Sequence, residues 1–289
     1  MQFRIRLLFS FLIVFIFEPY CFITVTCFSY IILKIPLLVK FLKGVHFMIL
    51  RYFQRGFNYS QDGPGNRLVY HLQGCNMHCP WCSNPEGMDI YGRAVEKSCE
   101  EVIKEILSCA PMFFDSGGIT FTGGEASLQL DAVYEIMKSV KAMGISTAIE
   151  TNATNKNLKR LISVCDCWMI DFKHADGEKL KEITGADIKP IIDNISIISA
   201  QGAPHLRIPL IHGFNDSDCD LEKFIDFFSA LKLSGGRFDI ELLPYHEYGR
   251  EKWRKCSKEY TVKDGFVSEA TLNKFKNAFK SGGFDLINT

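Results

Sequence analysis

The sequence has no excess charge of either sign and no unbroken apolar run long enough for a clean membrane span. Lys and Arg total 33, and Asp and Glu also total 33, in 289 residues. No global electrostatic field therefore points to nucleic acid or to an acidic partner. We find no internal repeat, low-complexity tract or long linker after Met48. A content of 47% hydrophobic and 23% charged residues argues against collagen, coiled coil and disorder.

Residues 1–47 differ in composition from the remainder. They contain five Lys or Arg and one acid, so the remainder has 28 basic and 32 acidic residues and a net charge of −4. Their apolar runs are broken by Glu18, Pro19, Lys34 and Pro36, whereas a hydrocarbon core needs about 20 apolar residues in a helix. No small-residue signal cleavage site follows.

Three interpretations of this apolar N-terminal segment remain: a membrane anchor, an uncleaved targeting segment, or upstream sequence read from a wrongly assigned start. We favour the third, because Met48 opens a segment that reads at once like the first strand of a soluble domain. The domain is then expected over residues 48–289. It associates with a membrane only if residues 1–47 are genuine.

Beyond Met48, short β-rich runs alternate with amphipathic helical patterns, which predicts an α/β fold with a parallel sheet. Six such units predict a partial (βα)6 TIM-like barrel, with chemistry at the carboxyl ends of the strands. Helices are predicted from the Ser98 cap to Cys109, over Leu128–Met143 and over Asp218–Leu233. The predicted strands are Leu68–Gln73, Ile119–Thr122, Ser146–Glu150, Trp168–Phe172, His205–Ile211 and Phe238–Leu243.

Three of the eleven cysteines lie within eight residues, directly after the first of these strands. Cys75, Cys79 and Cys82 have C-x3-C-x2-C spacing, which can hold three irons of a cubane cluster and leave the fourth iron open. Two alternatives remain: the last two cysteines as a dithiol redox pair, and a zinc site that includes His78. The pair would leave Cys75 unexplained.

This motif, with Trp81 before its last cysteine, resembles the signature of the radical S-adenosylmethionine (SAM) superfamily. The resemblance implies a partial or full βα barrel, a [4Fe-4S] cluster held by Cys75, Cys79 and Cys82, and SAM as cofactor. The other cysteines after Met48 form no second cluster motif, and we read them as buried or incidental thiols. They are Cys99, Cys109, Cys165, Cys167, Cys219 and Cys256.

A Gly-Gly-Glu turn, Gly123-Gly124-Glu125, follows the second predicted strand. It could be a plain strand-to-helix turn. It could also let backbone approach a ligand closely and place a carboxylate beside an ammonium. It resembles the superfamily motif that binds the methionine amino group of SAM.

Further polar residues lie at or beside the remaining strand ends. Taken singly, Asp171 and Lys173 could be a solvated pair, Arg207 a structural ion-pair partner and His246 a core histidine. Their common placement at one end of the sheet favours a shared site.

Together, these segments resemble the glycyl-radical enzyme activases, most of all those that act on pyruvate formate-lyase. The resemblance runs from about Arg51 to the C-terminus. It includes Asp62-Gly63-Pro64-Gly65-Asn66-Arg67 and Lys252-Trp253. It implies that the SAM-contacting residues are Trp81, Ser83, Gly123, Gly124, Glu125, Glu150, Asp171, Phe172, Lys173 and His246.

The resemblance also implies a reaction. One electron from the reduced cluster cleaves SAM, and the radical formed takes a hydrogen atom from a glycine Cα of a partner glycyl-radical enzyme of the pyruvate formate-lyase type. Lys173, Arg207 and His246 are then catalytic candidates, and a monovalent cation is implied near Glu150, Thr151 and Asp171. An electron donor such as flavodoxin or ferredoxin, a monomeric state, a cytoplasmic location and anaerobic metabolism are also expected.

The chain departs from the activase pattern at several positions. Glu150 and Ala153 stand where Asp and Gly are usual, Asn66 replaces an aliphatic residue, and the ferredoxin-like insert of many activases is absent. Two other functions stay open: a radical SAM enzyme acting on a small molecule or peptide, and a membrane-tethered, non-catalytic metal-binding module.

Overall fold

The computed structural model describes residues 48–287. All interpretations of residues 1–47 lie outside the described residues, as does the domain boundary placed before Met48. No helix of the described range has the length and apolarity needed to cross a bilayer.

Within residues 48–287, nine strands form one sheet in the order β3-β1-β2-β4-β5-β6-β7-β8-β9. β1 pairs antiparallel with β2 and β3, and every pairing from β2 to β9 is parallel. The strands are β1 (Ile49–Tyr59), β2 (Asn66–Leu72), β3 (Val95–Ser98), β4 (Gly118–Gly123), β5 (Ser146–Thr151), β6 (Cys167–Asp171), β7 (His205–Leu210), β8 (Asp239–Pro244) and β9 (Leu286–Ile287).

The six predicted strands correspond to β2 and β4 to β8, so the predicted parallel sheet is confirmed. Inward side chains from all six strands line one cavity, which shows that the sheet curls around it. Within the described range the sheet has two edges, β3 and β9, so the barrel is partial, as predicted.

Helices pack on the outer face of this sheet, except the sixth, which lies against the loop of the three motif cysteines. They are α1 (Cys99–Ser108), α2 (Leu130–Lys141), α3 (Gly177–Thr184), α4 (Ile188–Gln201), α5 (Asp218–Leu233), α6 (Arg250–Lys255) and α7 (Glu269–Ser281). The capping box of α1 is present, since Ser98 accepts from the Glu101 amide and Glu101 accepts from the Ser98 amide. α5 has the predicted bounds and buries Phe224, Phe228 and Leu231.

Two local departures from the predicted βα pattern are visible. The predicted helix from Leu128 begins instead as a 3-10 turn over Ala126–Gln129, and α2 follows at Leu130. Between β5 and β6 the described chain has only a 3-10 turn, Leu158–Leu161, where a helix would complete the unit. The apolar core lies between the sheet and the outer helices, and the inside of the barrel is left to polar side chains.

Candidate functional site

A cavity of about 630 Å³ occupies the inside of the partial barrel. The cysteine loop lies at the carboxyl ends of the strands, where parallel barrels place their chemistry. At the other end, the loop between β1 and β2 contributes Gln61 and Asp62 to the lining. The cavity therefore runs through the barrel from the cysteine loop to this hairpin loop.

All three motif cysteines line the cavity, and their thiols are free. The loop leaves β2 at Leu72, and backbone amides point at two of the sulfurs: Met77 N donates to Cys75 Sγ at 3.4 Å and Asn84 N donates to Cys82 Sγ at 3.3 Å. Amide donors favour thiolate over thiol. The loop thus presents three sulfurs to one space.

Burial is the main influence on the protonation of these thiols. It raises the pKa of Cys75 to about 12 and that of Cys79 to about 11, while the positive charge of Lys173 acts in the opposite direction on Cys79. Metal ligation requires thiolates. Without metal the buried thiols stay protonated, so loading the site must release protons.

The donor chemistry fits an iron–sulfur cluster. Three soft sulfur donors facing one polar cavity suit iron or zinc better than Mg²⁺ or Ca²⁺. In the described part of the chain, no three His, Cys, Asp or Glu side chains converge on one position for a single metal ion. A cubane cluster instead takes each thiolate on a different iron, so Cys75, Cys79 and Cys82 are the residues that would hold it.

The C-terminal part of the chain holds the cysteine loop in place. Trp253 Nε1 donates to Cys82 O at 2.8 Å, Lys252 Nζ donates to Asn84 Oδ1 at 2.9 Å, and Lys258 Nζ donates to Pro85 O at 3.1 Å. Gly249 lies so close that a Cβ there would be 2.4 Å from Cys82 O. Lys252-Trp253 is part of the activase resemblance, but nothing in the sequence indicated that these residues hold the cysteine loop.

The Gly-Gly-Glu turn is bound tightly to the same loop. Gly124 N donates to Leu72 O at 2.9 Å and Glu125 N donates to Gly74 O at 2.7 Å. A Cβ on Gly124 would be 2.2 Å from Gly74 O, and Gly123 has φ +113°. Backbone packing thus requires both glycines, in addition to any ligand: Gly124 lies against the cysteine loop and Gly123 lies against the end of β2.

The Glu125 carboxylate is engaged by the protein itself. Its oxygens accept from Ser127 N at 2.9 Å, Thr151 Oγ1 at 2.6 Å and Asn152 N at 2.7 Å. Burial raises its pKa, and these hydrogen bonds oppose the shift. Glu125 therefore braces the end of β4 against the end of β5 while still lining the cavity.

Asp171 and Lys173 form a mostly buried ion pair at the end of β6, with Lys173 Nζ 2.8 Å from Asp171 Oδ2. Burial alone would lower the pKa of Lys173, but the attraction of Asp171 outweighs it and raises the pKa. Asp171 Oδ1 is buried with no hydrogen-bond partner, and so is Nδ1 of His71, which also lines the cavity. Both atoms can therefore take a hydrogen bond from a molecule bound in the cavity.

Arg207 lies deeper in the barrel, between two carboxylates. Its Nε donates to Glu241 at 2.9 Å, and its Nη1 donates to Glu150 at 3.1 Å. Nη2 donates to Gln61 O at 3.2 Å, which ties β7 to the hairpin loop. Burial raises the pKa of Glu150 to about 7, although Arg207 opposes the shift.

The remaining predicted SAM contacts differ in where their side chains lie. Trp81, Ser83 and His246 line the cavity, and the His246 ring stacks on Tyr248 with 4.3 Å between ring centroids. Burial lowers the pKa of His246, which favours the neutral ring. The Phe172 side chain does not join them, because it points outward and packs with a centroid distance of 4.5 Å against Phe227.

Sequence reasoning missed several cavity residues. His71 and Thr122 face inward from β2 and β4, and Thr122 Oγ1 donates to Glu150 at 2.6 Å. Because side chains alternate along a strand, the sequence could have shown that His71 and Thr122 point to the inner face of the sheet. Gln61 and Asp62 gave no such signal, because a hairpin loop has no period.

Comparison with known proteins agrees with this geometry. Residues 69–228 match the family model described as the Radical SAM superfamily. The chain belongs to the radical SAM superfamily. Radical SAM proteins use a [4Fe-4S] cluster and SAM. The donor set of this cavity fits such a cluster.

Curated relatives narrow the family further. A pyruvate formate-lyase-activating enzyme of Streptococcus mutans is 36% identical over 231 residues, covering 76% of this chain and 86% of that protein. A 4-hydroxyphenylacetate decarboxylase activating enzyme of Clostridioides difficile is 30% identical over 289 aligned residues, covering 77% of this chain and 90% of that protein. This radical SAM chain thus belongs among the activating enzymes.

The solved structure of a radical SAM methyltransferase from Sphaerobacter thermophilus superposes with a TM-score of 0.56 at 14% identity. It covers 80% of this chain and 67% of that chain. At this identity the likeness concerns the fold alone, and it supports the partial-barrel architecture.

Proposed function

We propose that this radical SAM enzyme is an activase that places a radical on a glycine of a partner glycyl-radical enzyme, of the pyruvate formate-lyase type. The observation that carries the proposal is one cavity lined jointly by three free thiols, the Gly-Gly-Glu turn and the Asp171–Lys173 pair. The 36% identity to a pyruvate formate-lyase-activating enzyme supports the partner type.

When bound, the cluster and SAM together supply the radical that removes a hydrogen atom from a glycine Cα. The chain supplies the surroundings. Cys75, Cys79 and Cys82 would hold the irons, and the backbone of Gly123 and Gly124 would contact the methionine part of SAM. Trp81, Ser83, Asp171, Lys173 and His246 are the further SAM contacts of this proposal.

Lys173 is suited to an anionic group because burial weakens water's competition for its charge. Asp171 holds the ammonium through Oδ2 and keeps Oδ1 for a donor on the ligand. We also assign SAM contacts to Glu125, Glu150 and the backbone of Phe172. A monovalent cation near Glu150, Thr151 and Asp171 would have to share Glu150 with Arg207.

The partner's glycine has to reach the inside of the barrel, so a loop of the partner enters the cavity. Arg207 and His246 line that path, and they are, with Lys173, the residues that we assign to the reaction. Arg207 is held by two carboxylates and the Gln61 carbonyl, so it keeps a fixed position when the loop enters.

An anaerobic assay tests the proposal. The chain begun at Met48, reconstituted with iron and sulfide, is reduced in the presence of SAM and a pyruvate formate-lyase-type partner made with α-deuterated glycine. We expect a glycyl radical signal by electron paramagnetic resonance and deuterium in the 5′-deoxyadenosine released. The same partner with undeuterated glycine is the control.

Two other outcomes contradict the proposal. Steady 5′-deoxyadenosine release without a partner radical would favour an enzyme acting on a small molecule or peptide. Failure to bind about four irons and four sulfides would favour a non-catalytic metal-binding module.

Further predictions concern the electron donor, the oligomeric state and the location of the enzyme. We propose flavodoxin or ferredoxin as electron donor, a monomer in solution, and a cytoplasmic enzyme of anaerobic metabolism. Free thiols throughout the described range support a reducing compartment. Replacing the chemical reductant with each donor, and measuring mass by light scattering, would decide the first two.

A further inference from the structure

The chain turns directly after β7, over residues 211–215, at the carboxyl end of the barrel. Asn215 in this turn has no exposed surface and does not line the cavity. Its side chain contacts the backbone of Lys173, which lies two residues beyond the end of β6 and does line the cavity. The turn therefore reaches the proposed SAM site through a residue of the neighbouring strand end.

The Asn215 side-chain amide bridges the ends of two strands. Its Nδ2 donates to Lys173 O at 2.8 Å and to Pro209 O at 2.8 Å. Its Oδ1 accepts from Ile211 N at 2.8 Å. The paired residues of β6 and β7 end before Lys173. This side chain therefore continues the connection between the two strands beyond their ladder.

His174 adds a second connection between the same segments. Its Nδ1 accepts from Asp176 N at 2.8 Å, so a neutral ring carries its hydrogen on Nε2. Nε2 lies 3.1 Å from Phe214 O and donates to it. The ring has no exposed surface, and burial lowers the pKa of His174, which favours the neutral form. Two consecutive residues after β6 are thus bonded to two consecutive residues of the turn.

The Phe214 ring connects the turn to the cysteine loop. Its centroid lies 4.7 Å from that of Trp81 and 4.9 Å from that of His174. Trp81 directly precedes Cys82 and lines the cavity. The turn thus packs against the cysteine loop with a ring and holds the Lys173 backbone with an amide.

A fixed backbone matters at Lys173 because its ammonium is at the end of a long, flexible stem. Asp171 Oδ2 holds the ammonium at 2.8 Å. Asn215 holds the carbonyl of the same lysine. The two contacts together set where the positive charge lies in the cavity.

We propose that Asn215 is a positioning residue for SAM binding, which fixes Lys173 so that its ammonium meets the anionic group of SAM. This inference rests on the SAM contact proposed above for Lys173, and not on the identity of the partner enzyme. Asn215 acts through Lys173, since its own side chain does not line the cavity. Its loss should therefore weaken SAM binding and leave the three cluster ligands in place.

Isothermal titration with SAM, on holoprotein reconstituted with iron and sulfide, measures the dissociation constant of the loaded molecules. Asn215→Ala should raise this constant about tenfold, the size expected when a hydrogen bond to a charged group is lost. The rate of 5′-deoxyadenosine release at saturating SAM, per bound iron and with dithionite as reductant, should be largely retained. A contact made equally in the ground and transition states affects binding alone.

Asn215→Asp is the second variant. It keeps the size of the side chain and the acceptor for Ile211 N, but a carboxylate cannot donate to the two carbonyl oxygens. It should raise the dissociation constant in the same way. Because the constant refers to loaded molecules, poor folding of either variant would lower the number of binding sites and not their affinity.

A positioning role also predicts that the effect depends on Lys173. In a Lys173→Met background, Asn215→Ala should leave the dissociation constant of SAM unchanged, because the group that it positions is gone. The matched control is Asn66→Ala, at the opposite end of the barrel, which removes another buried amide, bonded to Met112 O at 2.8 Å. It should lower the urea midpoint and leave the dissociation constant unchanged.

The proposal is overturned if Asn215→Ala and Asn215→Asp both bind SAM as tightly as the wild type. It is equally overturned if Asn215→Ala weakens binding as much in the Lys173→Met background as in the wild type, or if Asn66→Ala weakens binding to the same extent. No partner protein takes part in these measurements, so failure of the activase proposal would leave this inference intact.

Discussion

The two ends of the barrel use polar residues in opposite ways. At the amino ends of the strands, Arg67 is fully buried, and its guanidinium donates to Thr120 Oγ1 at 2.8 Å and to Ile119 O at 2.6 Å. Further up the barrel, Asp171 Oδ1 and His71 Nδ1 are buried without hydrogen-bond partners.

This difference separates stability from function. A buried polar group without a partner destabilises the fold, whereas a satisfied one fixes it. The amino end is consequently the rigid base, and the site end keeps bonding capacity for a ligand. This division predicts which substitutions affect catalysis and which affect folding.

The largest expected effect is the loss of chemistry on removing a cluster ligand. Cys75→Ala, Cys79→Ala or Cys82→Ala should each abolish reductive SAM cleavage, because an iron loses its anchor. Anaerobic 5′-deoxyadenosine release and iron content measure this. Cys219→Ser, at an exposed thiol outside the site, should retain both. Normal turnover in the triple variant would refute the cluster assignment.

The next largest expected effect is a loss of folding stability at the amino ends of the strands. Arg67→Met leaves several buried carbonyl oxygens without donors and should lower the free energy of unfolding by about 3 kcal/mol. Urea unfolding measures it. Arg254→Met, at an exposed Arg–Glu pair, should leave the midpoint unchanged. Equal midpoints in the two variants would contradict a rigid base.

A smaller effect is expected at the junction of the Gly-Gly-Glu turn and the cysteine loop. Gly124→Ala forces a Cβ against the carbonyl of Gly74, next to Cys75. Overpacking of this kind costs about 1–3 kcal/mol, so SAM affinity should fall about tenfold and iron should be retained less well.

The control for that substitution is Gly56→Ala, since a Cβ at Gly56 meets nothing within 4 Å. Isothermal titration with SAM on the reconstituted proteins would compare them. Unchanged affinity and iron content in Gly124→Ala would show that the turn tolerates movement.

The smallest effect concerns Ala153, which stands where the activase pattern has glycine. Its φ is +57° and it is fully buried, so the side chain is strained in the left-handed region. Ala153→Gly should therefore raise the free energy of unfolding by about 0.5–1 kcal/mol. Urea unfolding measures this change. The control is Ala186→Gly: Ala186 has no positive φ, so its replacement should lower the free energy of unfolding. If both glycine variants had a lower free energy of unfolding than the wild type, Ala153 would not be strained.

The strand pattern was predictable because alternation and turn residues are local signals. β2 and β4 to β8, α1 and α5 were all found from them. α3, α4, α6 and α7 were not, and neither was β3. β3 is only four residues long and half exposed, and its pairing with β1 is set by tertiary contacts rather than by its own pattern.

The sequence named many of the residues that line the cavity, but not the contacts that they make. The sequence predicted that Glu125, Glu150 and Arg207 belong to the site. It could not show that Glu125 is engaged by Thr151 and Asn152, or that Arg207 joins Glu150 to Glu241. The outward direction of the Phe172 side chain, by contrast, could have been inferred, because successive side chains of a strand point to opposite faces and its neighbour Asp171 lines the cavity.

By itself, the sequence determined the parallel sheet, the three thiols and their place after the first parallel strand, since spacing and periodicity are properties of the chain. Only the tertiary structure decided which polar groups meet, because those contacts join residues far apart in sequence. The Arg207–Glu241 bond and the His205–Asp239 pair each span 34 residues. Strand register, which no local pattern specifies, brought them within hydrogen-bonding distance.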